Sequence, residues 1–296
     1  MSGMSRDAMK RAVNWVFLGD SLTEGVGSSR ATYVTELAAR LRASSSERAV
    51  HDVRLREVDP DQFNPFIRVN VAGYLTQDAR TALPALWVWN LGSEGRTIET
   101  DRKWLPFLEN LRPERVFIHR GSLESILRPA CWHSGQWPFW VPRSWRGLVS
   151  MDPRCYFSTT PVRKLKQSVI DAAKQRTRRR LLSNGAPKPL LDHDQILQHY
   201  DELVRALRAL PAAVTMLGLL PPDERTFPGS GARFIGLNES LRGLAMAHGA
   251  DFLDWRVPFT SGSGGSFYRD GFHPNPSGTV RLAEILHSRL VDQGAA

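Results

Sequence analysis

The sequence predicts an α/β protein, a flavodoxin-like three-layer α/β/α sandwich built on a five-stranded parallel sheet and carrying a helical insertion. Three observations predict it. Short apolar runs bounded by turn residues alternate with longer amphipathic stretches, which is the pattern of βαβ units. The 296 residues, 42% of them hydrophobic, suffice to bury a sizeable core. The first apolar run, Trp15-Val16-Phe17-Leu18, stops abruptly at Gly19-Asp20-Ser21. A buried strand does this where it turns out of the carboxyl edge of an open sheet.

Taken in order, strands are expected at Trp15–Leu18, Leu86–Asn90, Arg115–His119, Ala213–Leu217 and Asp251–Asp254. Each is a short, apolar-rich run, as in strands covered by helices on both faces. Helices are expected over Arg30–Ala43, Thr100–Leu111, Val162–Leu182, His193–Leu210, Ile235–His248 and Pro276–Gln293. The last opens on Asn275-Pro276-Ser277, where proline suits a first helical turn. Residues 1–296 read as one domain with two insertions, at about 49–84 and 125–190. The first holds a candidate short strand at Phe66–Val71. The second gathers Trp132, Trp137, Trp140 and Trp145, four of the nine tryptophans. Between Pro142 and Leu181 it also holds eleven basic residues against two acidic ones. That segment therefore accounts for the whole net charge of +9, a basic insert on a neutral body.

Several classes of function fall away. No apolar stretch approaches the ~18 residues of a membrane span. The first dozen residues carry no apolar core of a secretory signal, so a cytoplasmic location is expected. Two cysteines, Cys131 and Cys155, do not make a disulfide framework. No metal-ligand spacing and no phosphate-cradling glycine loop occurs, so chemistry without metal or cofactor is expected. No nucleic-acid-binding signature accompanies the arginines, and nucleic acid ranks last among partners. The run Arg176–Arg180 reads as a solvated helix face able to meet an anionic surface.

The chemistry points to Ser21. A serine hydroxyl is a weak nucleophile until a base takes its proton. His273, in Asp270-Gly271-Phe272-His273-Pro274, is the candidate base, and Asp270 the group that orients its ring. Asp20 is expected to accept N–H groups of the turn, and Glu124 to pair with Arg120 or Arg96.

Gly19-Asp20-Ser21-Leu22 resembles the nucleophile block of the GDSL, or SGNH, hydrolase family, and Asp270-Gly271-Phe272-His273 resembles its final D-x-x-H block. Between them, Trp87 to Thr97 fits the family block that contributes an oxyanion-binding glycine, with Gly95 the best match. The third block normally reads G-x-N-D, its asparagine donating to the same oxyanion. Here Gly121-Ser122-Leu123-Glu124 stands in its place, and the asparagine position is Leu123. The resemblance implies the same sandwich, with Ser21, Asp270 and His273 catalytic and with the N–H groups of Ser21 and Gly95 in the oxyanion hole. Arg96, Arg120 and Ser122 are candidate substitutes for the missing donor. The resemblance implies a serine esterase or acylhydrolase acting on an O-acyl ester. The aromatic and guanidinium content of the insert suits an acylated carbohydrate, with small-metabolite esters as the other choice. An O-acyltransferase resolving the same acyl-enzyme with a sugar hydroxyl is the alternative. A binding module that kept the fold and lost catalysis is a second one.

Overall fold

The computed structural model describes residues 12–25, 32–45, 49–54, 85–93, 95–146, 160–260, 268 and 271–295. Six strands form one parallel sheet in the order β2-β3-β1-β4-β5-β6. They are β1 Ala12–Gly19, β2 Ala49–Arg54, β3 Ala85–Gly92, β4 Arg115–His119, β5 Ala213–Leu217 and β6 Asp251–Leu253. The sheet thus has six strands where five were expected. Ala49–Arg54, read as the start of an insertion, is its edge strand among the described residues, pairing with β3. The Phe66–Val71 strand lies outside the described residues.

Trp15, Val16, Phe17 and Leu18 of β1 are fully buried, because helices cover both faces of the sheet. Phe17 stands opposite Phe117 in the β1/β4 register, and their rings stack with centroids 4.4 Å apart. Phe17 also meets Tyr33 edge-on. Tyr33 opens α2, Tyr33–Ser44, behind a Thr32 capping box, later than the expected Arg30 start. On the other face, Trp89 of β3 meets Phe107 edge-on. The expected Thr100–Leu111 helix is in fact a 3-10 stretch, Ile98–Trp104, running into α3, Leu105–Leu111. Pro106 near the start of α3 suits a new first turn there.

The chain leaves β1 toward β2 and β3, then crosses to β4, β5 and β6. The carboxyl end of β1 therefore sits where the strand order reverses, the place where open α/β sheets form clefts. The short helices α1, Ser21–Glu24, and α4, Ser122–Ser125, follow β1 and β4 there. The remaining helices of the body are α7 His193–Arg208, α8 Ser230–Ala247, α9 Val257–Thr260 and α10 Pro276–Asp292. Helix α7 starts with a capping box of Asp192 and Gln195.

The second insertion is closed at its base. Arg128 and Lys188 form an isolated antiparallel bridge, with N–H···O distances of 2.9 and 3.0 Å. Within it lie α5, Ala130–Ser134, and the long basic helix α6, Pro161–Ser183. The guanidinium of Arg128 covers the Trp132 ring, and that of Arg180 covers Trp140. Arg178 lies over Phe227, and Arg179 donates to the Arg225 carbonyl. The Arg176–Arg180 run is thus not simply a solvated face, since three of its arginines are engaged with the protein. Cys155 lies outside the described residues. Among the described residues, no helix is long and apolar enough to cross a membrane.

Candidate active site

Gly19 and Gly92 face each other at the ends of β1 and β3, and their lack of side chains makes room for α1. A Cβ on Gly19 would fall 1.8 Å from Thr23 Oγ1, and one on Gly92 would fall 2.2 Å from the Glu24 nitrogen. Asp20 caps α1, its Oδ1 accepting from the Leu22 N–H at 3.0 Å, as expected of a turn aspartate. Gly25 ends the helix in the left-handed region, at φ 76°. Asn90 adds a clamp. Its amide donates to the Thr23 carbonyl at 2.8 Å and its Oδ1 accepts from the Gly92 N–H at 2.9 Å. Thr23 Oγ1 and the Tyr33 hydroxyl lie 2.8 Å apart. The helix that carries Ser21 is therefore gripped by β3 and α2.

Ser21 Oγ lies 2.9 Å from His273 Nε2. The histidine precedes α10, whose N-cap Asn275 accepts from the Gly278 N–H. Phe272 is buried, packs against Phe227 and meets the His273 ring edge-on. Gly271, at φ 79°, accepts the Asp223 N–H at 2.7 Å, and Tyr268 bridges to Pro274. The imidazole is thus held from both sides of its own loop. Asp270 lies outside the described residues.

Gly95 sits in a turn at φ 70°, and no described residue lies within 4 Å of where a Cβ would point. Leu123 is half-buried, and its carbonyl accepts from Arg128 Nη2 at 2.7 Å. Ser122 is buried, and its hydroxyl has no hydrogen-bond partner among the described residues. The Arg96 carbonyl accepts from Arg120 at 3.1 Å.

Arg120 is fully buried and pairs with equally buried Asp101, not with Glu124 as expected. The pairing is bidentate, Nε to Oδ2 at 2.7 Å and Nη2 to Oδ1 at 2.6 Å. Nη2 also donates to Ser93 Oγ at 2.9 Å. Nη1 donates to the carbonyls of Arg96, at 3.1 Å, and of Ser93, at 3.4 Å. A guanidinium has five N–H groups, and all five are thereby spent. This corrects the reading of Arg120 as a substitute oxyanion donor. Burial penalises its charge, yet the Asp101 carboxylate holds the guanidinium above its usual range.

Glu124 Oε1 accepts from the Ile98 N–H at 2.7 Å. Burial pushes this carboxyl up to about 7 despite that bond and the nearby Arg120 charge. His119 is buried between Tyr33 and Trp255, with neither ring nitrogen bonded among the described residues. Burial pulls it down to about 4. Asp101, Asn90 and Tyr200 were given no role in the sequence reading. No local motif marks them, because each acts through a partner distant in the chain. Among the described residues, no group of three or more His, Cys, Asp or Glu side chains is placed to hold a metal ion.

No protein-family model matches the chain, and no curated protein matches it by sequence. Solved structures do resemble it in fold. An acetylxylan esterase, Axe2, from Geobacillus stearothermophilus is 13% identical, with a TM-score of 0.52 over 94% of each chain. A lipase/acylhydrolase from Enterococcus faecalis is 14% identical, with a TM-score of 0.51 over 95% of this chain and 96% of its own. BT4096, a gut microbial diltiazem-metabolizing enzyme, is 14% identical at a TM-score of 0.53. That match covers 96% of this chain and 47% of BT4096.

Proposed function

We propose that this chain, whose fold is that of the GDSL/SGNH hydrolases, is a serine ester hydrolase that passes an acyl group through Ser21. The observation that carries the reading is the 2.9 Å contact between Ser21 Oγ and His273 Nε2, made across almost the whole chain. With its proton on Nδ1, the imidazole accepts the Oγ proton as Oγ attacks the ester carbonyl carbon. The carbonyl oxygen becomes an oxyanion, met by the N–H groups of Ser21 and Gly95. Collapse expels the alcohol oxygen, which takes the proton from Nε2 and leaves an acyl-enzyme. Water then gives a proton to Nε2 as its oxygen attacks the acyl carbon. On collapse Ser21 Oγ leaves with that proton from Nε2, releasing the carboxylic acid and restoring the free hydroxyl and neutral imidazole. Asp270 orients the imidazole and stabilises its charged form.

Two donors in place of three would cost on the order of 10²–10³ in rate, so the reading favours an acyl group of good reactivity, such as acetate. An acylated carbohydrate or small ester is the substrate class proposed. The Axe2 likeness agrees with that choice at the level of fold. The basic insert would favour an anionic member of the class.

The test incubates acetylated glycans and short-chain esters with wild type and Ser21→Ala, followed by mass spectrometry. Loss of an acetyl group with wild type alone is expected. Ser21→Ala should lower kcat by on the order of 10⁴–10⁶. Full activity in that variant overturns the proposal, and build-up of an acylated acceptor would make the enzyme a transferase.

A further inference from the structure

We infer that Arg120 is a positioning residue, holding the turn that carries Gly95 in the conformation that lets it serve as oxyanion donor. The inference rests on the ester chemistry proposed above and assigns to Arg120, Asp101 and Glu124 a task that Leu123 leaves open.

The turn that runs from Ser93 to Ile98 is tied by five hydrogen bonds. Its first N–H donates to the Gly19 carbonyl at 2.9 Å, joining it to the strand that delivers Ser21. Ser93 and Arg96 then give three acceptors to the Arg120 guanidinium. The last N–H, of Ile98, is held by Glu124. Gly95 itself meets no described residue within 4 Å where a side chain would point. Among the described residues, what fixes its orientation is the set of ties on either side of it.

Arg120 is in turn held rigid. Asp101 takes two of its donors, and the Tyr200 hydroxyl both accepts the Arg120 backbone N–H, at 3.1 Å, and donates to its carbonyl, at 2.7 Å. The same guanidinium charge acts on buried Asp20, next to Ser21. One buried cation thus links the segments that bear both oxyanion donors. A planar fork with five directed donors can do this and a lysine ammonium cannot.

Stability alone does not call for such a pair, since a buried ion pair can often be replaced by apolar residues with no loss. That separates positioning from scaffolding in an experiment. The double variant Asp101→Leu/Arg120→Met removes both charges together. With p-nitrophenyl acetate, kcat is expected to fall about 10²-fold, the effect of a misplaced oxyanion donor, with KM within about threefold of wild type. Hydrogen exchange of the 93–98 amides should quicken at least about tenfold while β1 and β4 stay protected.

Arg120→Lys keeps the charge and the fold but not the fork, and Ser93→Ala removes a single bond. Both should give smaller losses of the same kind, so a poorly folded double variant still leaves the inference testable. Wild-type kcat in a folded double variant or in Arg120→Lys overturns it, as does unchanged exchange in the turn. Exchange is read without substrate. A wild type inert toward every ester would therefore sink the hydrolase reading, and faster exchange in the variants would still uphold the bracing role.

Discussion

Two buried titratable side chains at the end of β4 pull stability in opposite directions as pH changes. The folded-state value of Glu124, about 7, exceeds its ordinary 4.5. Its contribution is therefore complete below pH 4.5 and is lost as pH rises toward 7. The folded-state value of His119, about 4, lies below its ordinary 6.5. Its contribution is complete above pH 6.5 and is lost as pH falls toward 4. Between pH 4.5 and 6.5 the two nearly offset each other, so wild type should show a flat stability profile there. Glu124→Gln keeps an acceptor for the Ile98 N–H and removes the first effect. Its stability should equal that of wild type at pH 4 and exceed it by up to about 3 kcal/mol at pH 8, as read by urea denaturation across pH. His119→Phe should behave in the converse way, gaining on wild type only as the solution is acidified. Neither residue announced this in the sequence. The sequence predicts only that Glu124 pairs with Arg120 or Arg96, and the depth of the α4 segment after β4 is what makes it a buried carboxyl.

At the scale of elements, the legible parts were those whose burial is continuous. The strands β1, β3, β4 and β5 are apolar on both faces and stood out from their flanks. Edge strand β2, Ala-Val-His-Asp-Val-Arg, mixes apolar and polar residues and has one neighbour among the described residues, so its pattern merges with the 49–84 insertion. The serine turn was legible because a strand, two glycines and a serine coincide within a few residues. The clamp on that turn was not, since Asn90 and Gly92 reach it from another strand. Gly92→Ala tests how tight the clamp is. Its Cβ would meet backbone atoms of Glu24 at 2.2 and 2.7 Å, with no flexible side chain to move aside. Destabilisation of about 1–3 kcal/mol is expected, with a fall in kcat as α1 shifts Ser21 away from His273. Calorimetry together with ester turnover checks both. Equal stability and turnover would mean that α1 is held elsewhere.

Over the whole molecule, the basic insert is connected to His273, the proposed base, through aromatic contacts. Arg178 covers Phe227, Phe227 packs on Phe272, and Phe272 meets the His273 ring. Charge on α6 is thereby carried close to the proposed reaction centre. Lys166 and Arg176 are exposed on that helix. Replacing both with glutamine should lower kcat/KM several-fold for an anionic acetylated glycan and flatten its dependence on salt. Turnover of neutral p-nitrophenyl acetate should stay unchanged, and an equal loss on both substrates would count against charge recognition. The bridge between Arg128 and Lys188 carries a wider consequence. Because the two ends of the segment already touch, joining them by a short link would demand little extra closure entropy, and strand pairing would keep its register. The segment should therefore be removable as a unit: a chain with 129–187 replaced by a short link is expected to fold and to keep the Ser21–His273 contact, as read by its thermal unfolding and its turnover of p-nitrophenyl acetate.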